Sequence, residues 1–295
     1  MKVIFIVGLP RSGTTVFGQN FSKRFNSLYL GESHADSQFF KGKNHIKKEV
    51  FINLINFVRK RIFLNDKLDQ IWKEQNKFYI KSNKTRFTFE DWIEFLYSFG
   101  IKSKLDCIID DTPTNYFYLN RPIYDQKKLY IFLIKRKLKD ILSSHIKSPW
   151  GHNKVPGIFM FKYSYFYHLM LKIKNLPNST ILNYESIGIF LKKIDQDKLN
   201  KDTGLKVQKF NSSYSIGRKI TENYELGDIN WAKSHLKQSG QAFKFTKKDR
   251  KLNLNKIDNC ILDMVESLYF RIYIFRIIVL IFAFCRSRYC KLKNV

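Results

Sequence analysis

Five apolar residues, Val3-Ile4-Phe5-Ile6-Val7, run straight into Gly8-Leu9-Pro10-Arg11-Ser12-Gly13-Thr14-Thr15 near the start of the 295-residue chain. A short continuous apolar run closed by glycine is the pattern of a strand buried on both faces. Beyond the turn, Thr15, Val16, Phe17 and Phe21 have the spacing of a helix with one apolar face. A buried strand, a tight glycine turn and a helix make the layout of a phosphate-binding loop. There, consecutive backbone N–H groups and the positive end of the helix form a concave anion site. Gly8 and Gly13 are expected to supply positive φ and close approach of the backbone to a phosphate. Ser12, Thr14 and Thr15 add hydroxyls, and Arg11 adds a fixed charge with a planar fork of N–H groups.

The nucleoside-triphosphatase form of such a loop reads G-x-x-x-x-G-K-[ST], with Lys on the β/γ-phosphates and the hydroxyl on Mg²⁺. Here Thr14 holds the Lys position and the cation lies inside the loop as Arg11. A ligand without a γ-phosphate or bound metal suits this arrangement better. The string GLPRSGTT at the end of a first strand resembles the 5′-phosphosulfate loop of sulfotransferases, which use 3′-phosphoadenosine 5′-phosphosulfate (PAPS) as sulfuryl donor. The resemblance implies that Pro10, Arg11, Ser12, Gly13, Thr14 and Thr15 bind the donor. It also implies a P-loop-like three-layer α/β fold, with a central parallel sheet and helices on both faces.

Further segments bear on the same resemblance in chain order. Leu28-Tyr29-Leu30 reads as a short strand ending at Gly31-Glu32-Ser33-His34. Residues just past the carboxyl end of a strand in such a sheet face the ligand crevice. Some family members carry a catalytic Glu after a Gly-Glu pair, which Gly31-Glu32 matches. Glu32 is therefore the candidate base, with His34 second and a solvated loop carboxylate as the other reading. The strand Leu105 to Ile109 closes on Asp110-Asp111-Thr112-Pro113. An acid after an apolar run suits a Mg²⁺-holding strand, whereas Thr112-Pro113 resembles the Lys-Thr-Pro segment of bacterial sulfotransferases. Asp111 then stands where that pattern has Lys, and Arg11 is the substitute cation at the transferring group.

Leu129 to Ile134 is another continuous apolar run, ending in Lys135-Arg136 before a helix from about Leu138. Arg136 and Ser144, eight residues apart, resemble the pair that clamps the 3′-phosphate in this family. A charged fork and a hydroxyl converging from a strand end and two turns into a helix would do this. Thr180 to Ser186 resembles the family's next strand with its Tyr-Glu-Asp. Tyr184 there is either a donor contact or a strand-edge aromatic. Arg218 and Lys219 resemble the basic residues of the family's donor-covering loop, with a surface basic loop as the alternative.

Between these motifs, Asn44 to Asn65 reads as a helix whose Arg59-Lys60-Arg61 cluster is a solvated, dipole-complementing end. Residues 66–104, rich in Trp and Phe, are expected to form helices over the sheet edge as an acceptor-side lid. Phe159 to Lys174 reads as a packing helix. The apolar stretch 261–295, interrupted by Arg271 and Arg276, is expected as a buried C-terminal helix with a basic tail. Peripheral contact with an anionic membrane is its second reading.

Composition adds bounds. With 44% apolar and 16% aromatic residues the chain can bury a full core, expected as one domain over 1–295. The formal charge of +28 is mostly lysine and is spread along the chain, so it suits an acidic acceptor without naming one and implies no specific nucleic acid. Four cysteines show no metal-ligand or redox spacing. No signal or anchor precedes the first strand, so a cytoplasmic location is expected, and the loop without its Lys is expected to work without a metal. The sequence thus points to sulfuryl transfer from PAPS to an acceptor hydroxyl or amine. Its rivals are a P-loop phosphotransferase using Mg-ATP, and a basic membrane- or nucleic-acid-binding protein with a vestigial loop.

Overall fold

The computed structural model describes residues 1–41, 45–119, 128–146 and 176–192, with single positions 260, 281 and 285 beyond them. Strand β1 (Lys2–Gly8) leads through the glycine loop into α1 (Thr14–Ser22), then β2 (Ser27–Gly31) and α2 (Ala35–Lys41). A short β3 (His45–Lys47) precedes α3 (Lys48–Arg61), α4 (Asp66–Lys81), β4 (Arg86–Thr88) and α5 (Phe89–Lys102). Then come β5 (Cys107–Asp110), α6 (Tyr116–Leu119), β6 (Leu129–Lys135), α7 (Leu138–Ile146), β7 (Ser179–Asn183) and α8 (Ile187–Lys192).

The five long strands form one sheet in the order β2-β5-β1-β6-β7, every pairing parallel. Strand alternation divides the core in two. Val3, Phe5 and Val7 of β1 join Leu129, Ile131 and Leu133 of β6 on one face. Ile4 and Ile6 join Tyr130, Phe132 and Ile134 on the other. Helices α3, α4, α5 and α7 pack on the first face through residues such as Phe51, Trp72, Trp92 and Ile141. On the second, α1 and α8 pack through Phe17, Phe21, Ile187 and Leu191. The fold is α/β with a central parallel sheet and helices on both faces, as the unbroken apolar runs of β1 and β6 imply.

Three local features differ from the sequence expectation. The helix expected from Asn44 begins at Lys48, because Ile46 is buried between exposed His45 and Lys47 in strand alternation and pairs antiparallel with β4. Helix α5 lies on the sheet face rather than over its edge. Trp92, Phe95, Leu96 and Phe99 form an i, i+3, i+4, i+7 stripe with no exposed surface, so the helix is a layer of the core. Its start is fixed by a capping box between Thr88 and Asp91. Lastly, the Arg59-Lys60-Arg61 cluster is not simply solvated, since Arg59 pairs with Asp69 across α3 and α4. The stretch 261–295, Arg218 with Lys219 and the helix expected at 159–174 lie outside the described residues, apart from the single positions 281 and 285. Among the described residues no helix is long and apolar enough to cross a membrane.

Candidate active site at the carboxyl ends of β1, β5 and β6

β1 lies between β5 and β6, so the loop after Gly8 opens at the centre of the carboxyl edge, where crevices form in parallel sheets. Arg11 and Gly13 both adopt the left-handed region, with φ of 74° and 99°. Left-handed residues spaced along a loop turn successive N–H groups inward, the geometry of an anion-holding nest. Gly13 serves as N-cap of α1 with no side-chain cap, which leaves the helix start open to an anion. Gly8 has no positive φ. Its role is space, because a Cβ there would stand 2.4 Å from Ser12 Oγ and 2.7 Å from the Ile134 carbonyl.

Arg136, one residue past the end of β6, reaches this loop. Its Nη1 donates to the Arg11 carbonyl at 2.9 Å, and its guanidinium lies 4.2 Å from the centre of the Tyr184 ring. Tyr184 in turn covers Gly13 so closely that a Cβ would lie 2.4 Å from the ring. Burial raises the Tyr184 pKa, opposed by the charges of Arg136 and Arg11. Tyr184 is therefore a wall of the loop, not a free strand-edge aromatic. Two polar atoms here are buried without a hydrogen-bond partner, Arg136 Nε and Ser12 Oγ. Ser144 sits on α7 two turns beyond Arg136, with its side chain outside the described residues.

Glu32 is brought to the same edge by a twisted segment after β2. Gly31 and His34 have φ of 67° and 56°, so the backbone reverses on either side of Glu32 and Ser33. The segment is held from β5. Ser33 Oγ donates to Asp110 Oδ2 at 2.5 Å, while the Thr112 N–H and hydroxyl donate to Asp110 Oδ1 at 3.0 and 2.7 Å. The His34 N–H donates to Thr112 Oγ1 at 3.2 Å, and the Asp111 N–H to the Gly31 carbonyl at 3.2 Å. From the opposite side, Arg61 Nη1 donates to the Glu32 carbonyl at 2.9 Å. The Glu32 side chain is 27% exposed, with His34 Nε2 at 3.6 Å. A carboxylate on a pinned segment with one open side can accept a proton from a bound ligand.

Asp111 follows β5 at the same edge. It is fully buried and accepts from the Tyr29 hydroxyl at 2.8 Å. Burial, then the charge of Glu32, pushes its pKa up to about 8. Gly18 makes this approach possible, since a Cβ there would meet Asp111 Cβ at 3.3 Å and the Tyr29 ring at 2.9 Å.

The glycine loop, Arg136 and Tyr184 thus converge, and Glu32 lies on the neighbouring segment after β2 at the same edge of the sheet. The sequence reading missed the Asp110–Ser33–Thr112 latch and the reach of Arg61. The buried acid two residues before Thr112 was the available signal for the former. No signal local to α3 marks the latter.

No family model and no curated protein matches the chain. Among solved structures it is similar to the sulfotransferase domain of the Synechococcus PCC 7002 olefin synthase. The two share 14% identity over 92% of this chain and 96% of that one, with a TM-score of 0.48. At that identity and score the likeness carries no functional weight, and residue roles rest on the geometry.

Proposed function

We propose that the protein transfers a sulfuryl group from PAPS to an acceptor hydroxyl or amine. What supports the reading is the Arg136–loop contact. A strand-end guanidinium is fixed beside the phosphate loop by Nη1 while its buried Nε keeps a donor unspent. Leaving such a donor unpaired is costly, and an anion beside the loop would relieve it. Ser12 Oγ, the loop N–H groups and Arg11 would hold the 5′-phosphosulfate. Arg136, with Ser144, would hold the 3′-phosphate that separates this donor from ATP. Tyr184 would wall the site, with Arg218 a further donor contact.

In the reaction the acceptor oxygen or nitrogen attacks sulfur, its proton passes to the Glu32 carboxylate, and the bond from sulfur to the 5′-phosphate oxygen breaks. The electron pair leaves on that oxygen, giving adenosine 3′,5′-bisphosphate. Arg11 and the α1 terminus face the charge that develops there. The spread positive charge would favour an acidic acceptor, and contact with an anionic membrane would come from 261–295. The test is transfer of label from [³⁵S]PAPS to a panel of sugars, lipids and peptides, with Glu32→Gln as control. Label transfer that falls at least about 100-fold in the variant supports the base, on the usual scale of proton-transfer catalysis. Release of labelled phosphate from γ-labelled ATP, with no ³⁵S transferred from PAPS to any acceptor, would contradict the reading.

A second reading has one observation in its favour. Asp111 is a buried acid at the end of the strand beside β1, the place of the metal-binding carboxylate in Mg-ATP phosphotransferases. Thr14 in place of the loop Lys weighs against it.

A further inference from the structure

The start of α3, the end of α4 and the β3–β4 ribbon form a face that the proposed reaction does not use. Its charges are arranged at a cost. In the ribbon Ile46 and Phe87 turn inward, and Lys47 and Arg86 stand directly opposite each other on the exposed side. Like charges opposed across an antiparallel pair repel, and a two-stranded ribbon is marginal in water to begin with. On α4, Lys77 and Lys81 repeat the arrangement at i, i+4, both exposed. Among the described residues none of these four cations has an ion-pair partner. The exposed acids nearest in sequence, Glu49, Glu74 and Glu90, pair with no cation, and Asp91 is taken by Lys84. From Lys77 to Arg86 the chain has four basic residues and no acid.

Between these pairs sits the most exposed large apolar side chain of the described residues, Phe78 at 68%, with Ile80 at 47%. Packing ties Phe78 to the ribbon. Its ring meets Tyr79 at 5.5 Å, Tyr79 meets Phe87 at 5.9 Å, and Phe51 stacks on Phe87 at 4.4 Å. Lys48 Nζ donates to the Ser82 carbonyl at 2.8 Å and the Lys48 N–H to the Thr85 carbonyl at 3.0 Å. The end of α4, the turn after it and the ribbon are thus one packed unit.

An exposed aromatic among uncompensated cations is satisfied by negative headgroups over an apolar layer. A soluble acidic polymer would neutralise the cations but leave Phe78 and Ile80 in water. We propose that this face docks on an anionic lipid surface, with Phe78 entering the headgroup boundary and Lys47, Arg86, Lys77 and Lys81 meeting lipid anions. The face is separate from the stretch 261–295, and the proposal is independent of the donor reading. Helix α3 runs from Lys48 at this face to Arg61 beside Glu32, so about 20 Å of helix holds the candidate site off the lipid.

The test is co-sedimentation of the full chain with phosphatidylcholine vesicles, with and without phosphatidylserine. Every substituted side chain is exposed, so the variants keep the fold. Each Lys or Arg at an anionic leaflet strengthens binding about fivefold. Binding should require phosphatidylserine, fall at least about tenfold in Lys47→Gln/Arg86→Gln, and fall several-fold in Phe78→Ser. It should be kept in Lys60→Gln/Lys67→Gln, which removes the same charge from the other ends of α3 and α4. Bromine-labelled lipid should quench the fluorescence of Phe78→Trp more than that of wild type. Equal losses in the two double variants would reduce binding to the overall charge of the chain and overturn the proposal. So would vesicle binding with no added quenching in Phe78→Trp. Binding to soluble dextran sulfate that Lys47→Gln/Arg86→Gln weakens, with none to vesicles, would assign the ribbon to an acidic polymer instead.

Discussion

Gly13 carries two demands at once, a φ of 99° and a Tyr184 ring too close for any Cβ. Gly13→Ala should therefore cost about 1–3 kcal/mol from backbone strain alone, and more from displacement of Tyr184. Chemical denaturation of the variant, with tyrosine fluorescence as the probe, checks both effects. Asp111 gives a signed pH prediction. Its folded pKa is raised to about 8 from an ordinary value of 3.8, so the folded state holds a proton that the unfolded chain has already lost between those values. Its contribution to stability is present at low pH and declines as pH rises, at no more than about 1.36 kcal/mol per pH unit, and levels off above about pH 8. Asp110 and Asp36, both raised by burial, act in the same direction. Only the comparison with Asp111→Asn isolates the residue. In metal-free buffer the Asn variant should gain melting temperature relative to wild type between pH 5 and pH 8, with equal curves counting against a protonated Asp111.

Among elements, the segment after β2 depends on β5 for its shape. Ser33→Ala removes the bond to Asp110 Oδ2 and leaves a wholly buried carboxyl short of a donor. The expected loss is about 1–3 kcal/mol of stability, read by urea titration. Transfer activity should fall further than stability accounts for, because Glu32 rides on that segment. Helix α5 is a different kind of dependence. Trp92 has no exposed surface and stacks on Phe95, so Trp92→Ala should cost about 3–5 kcal/mol without touching the loop. If α5 were only an edge lid, the same change would be nearly silent in denaturation.

For the whole molecule, the sheet was legible because parallel strands buried on both faces leave unbroken apolar runs, as at Val3 to Val7 and Leu129 to Ile134. The loop was legible because its spacing is a backbone requirement. Strand order, and hence which acid meets which hydroxyl, was not legible, since no local pattern records that β5 inserts between β2 and β1. The Tyr29–Asp111 and Arg61–Glu32 contacts are products of that order and of helix packing. The α5 stripe was visible as aromatic residues, but amphipathic spacing alone does not say whether a helix covers a face or an edge.

The central claim is a 3′-phosphate-selecting nucleotide site at Arg136. It is tested most directly by thermal shift of wild type and Arg136→Ala with adenosine 3′,5′-bisphosphate, ADP and Mg-ATP. At about 100 times its dissociation constant a ligand stabilises the fold by roughly 2.7 kcal/mol. The account predicts a clear shift with the bisphosphate, little with ADP, and loss of the bisphosphate shift in Arg136→Ala. A shift with Mg-ATP alone, or a bisphosphate shift that Arg136→Ala leaves intact, would contradict it.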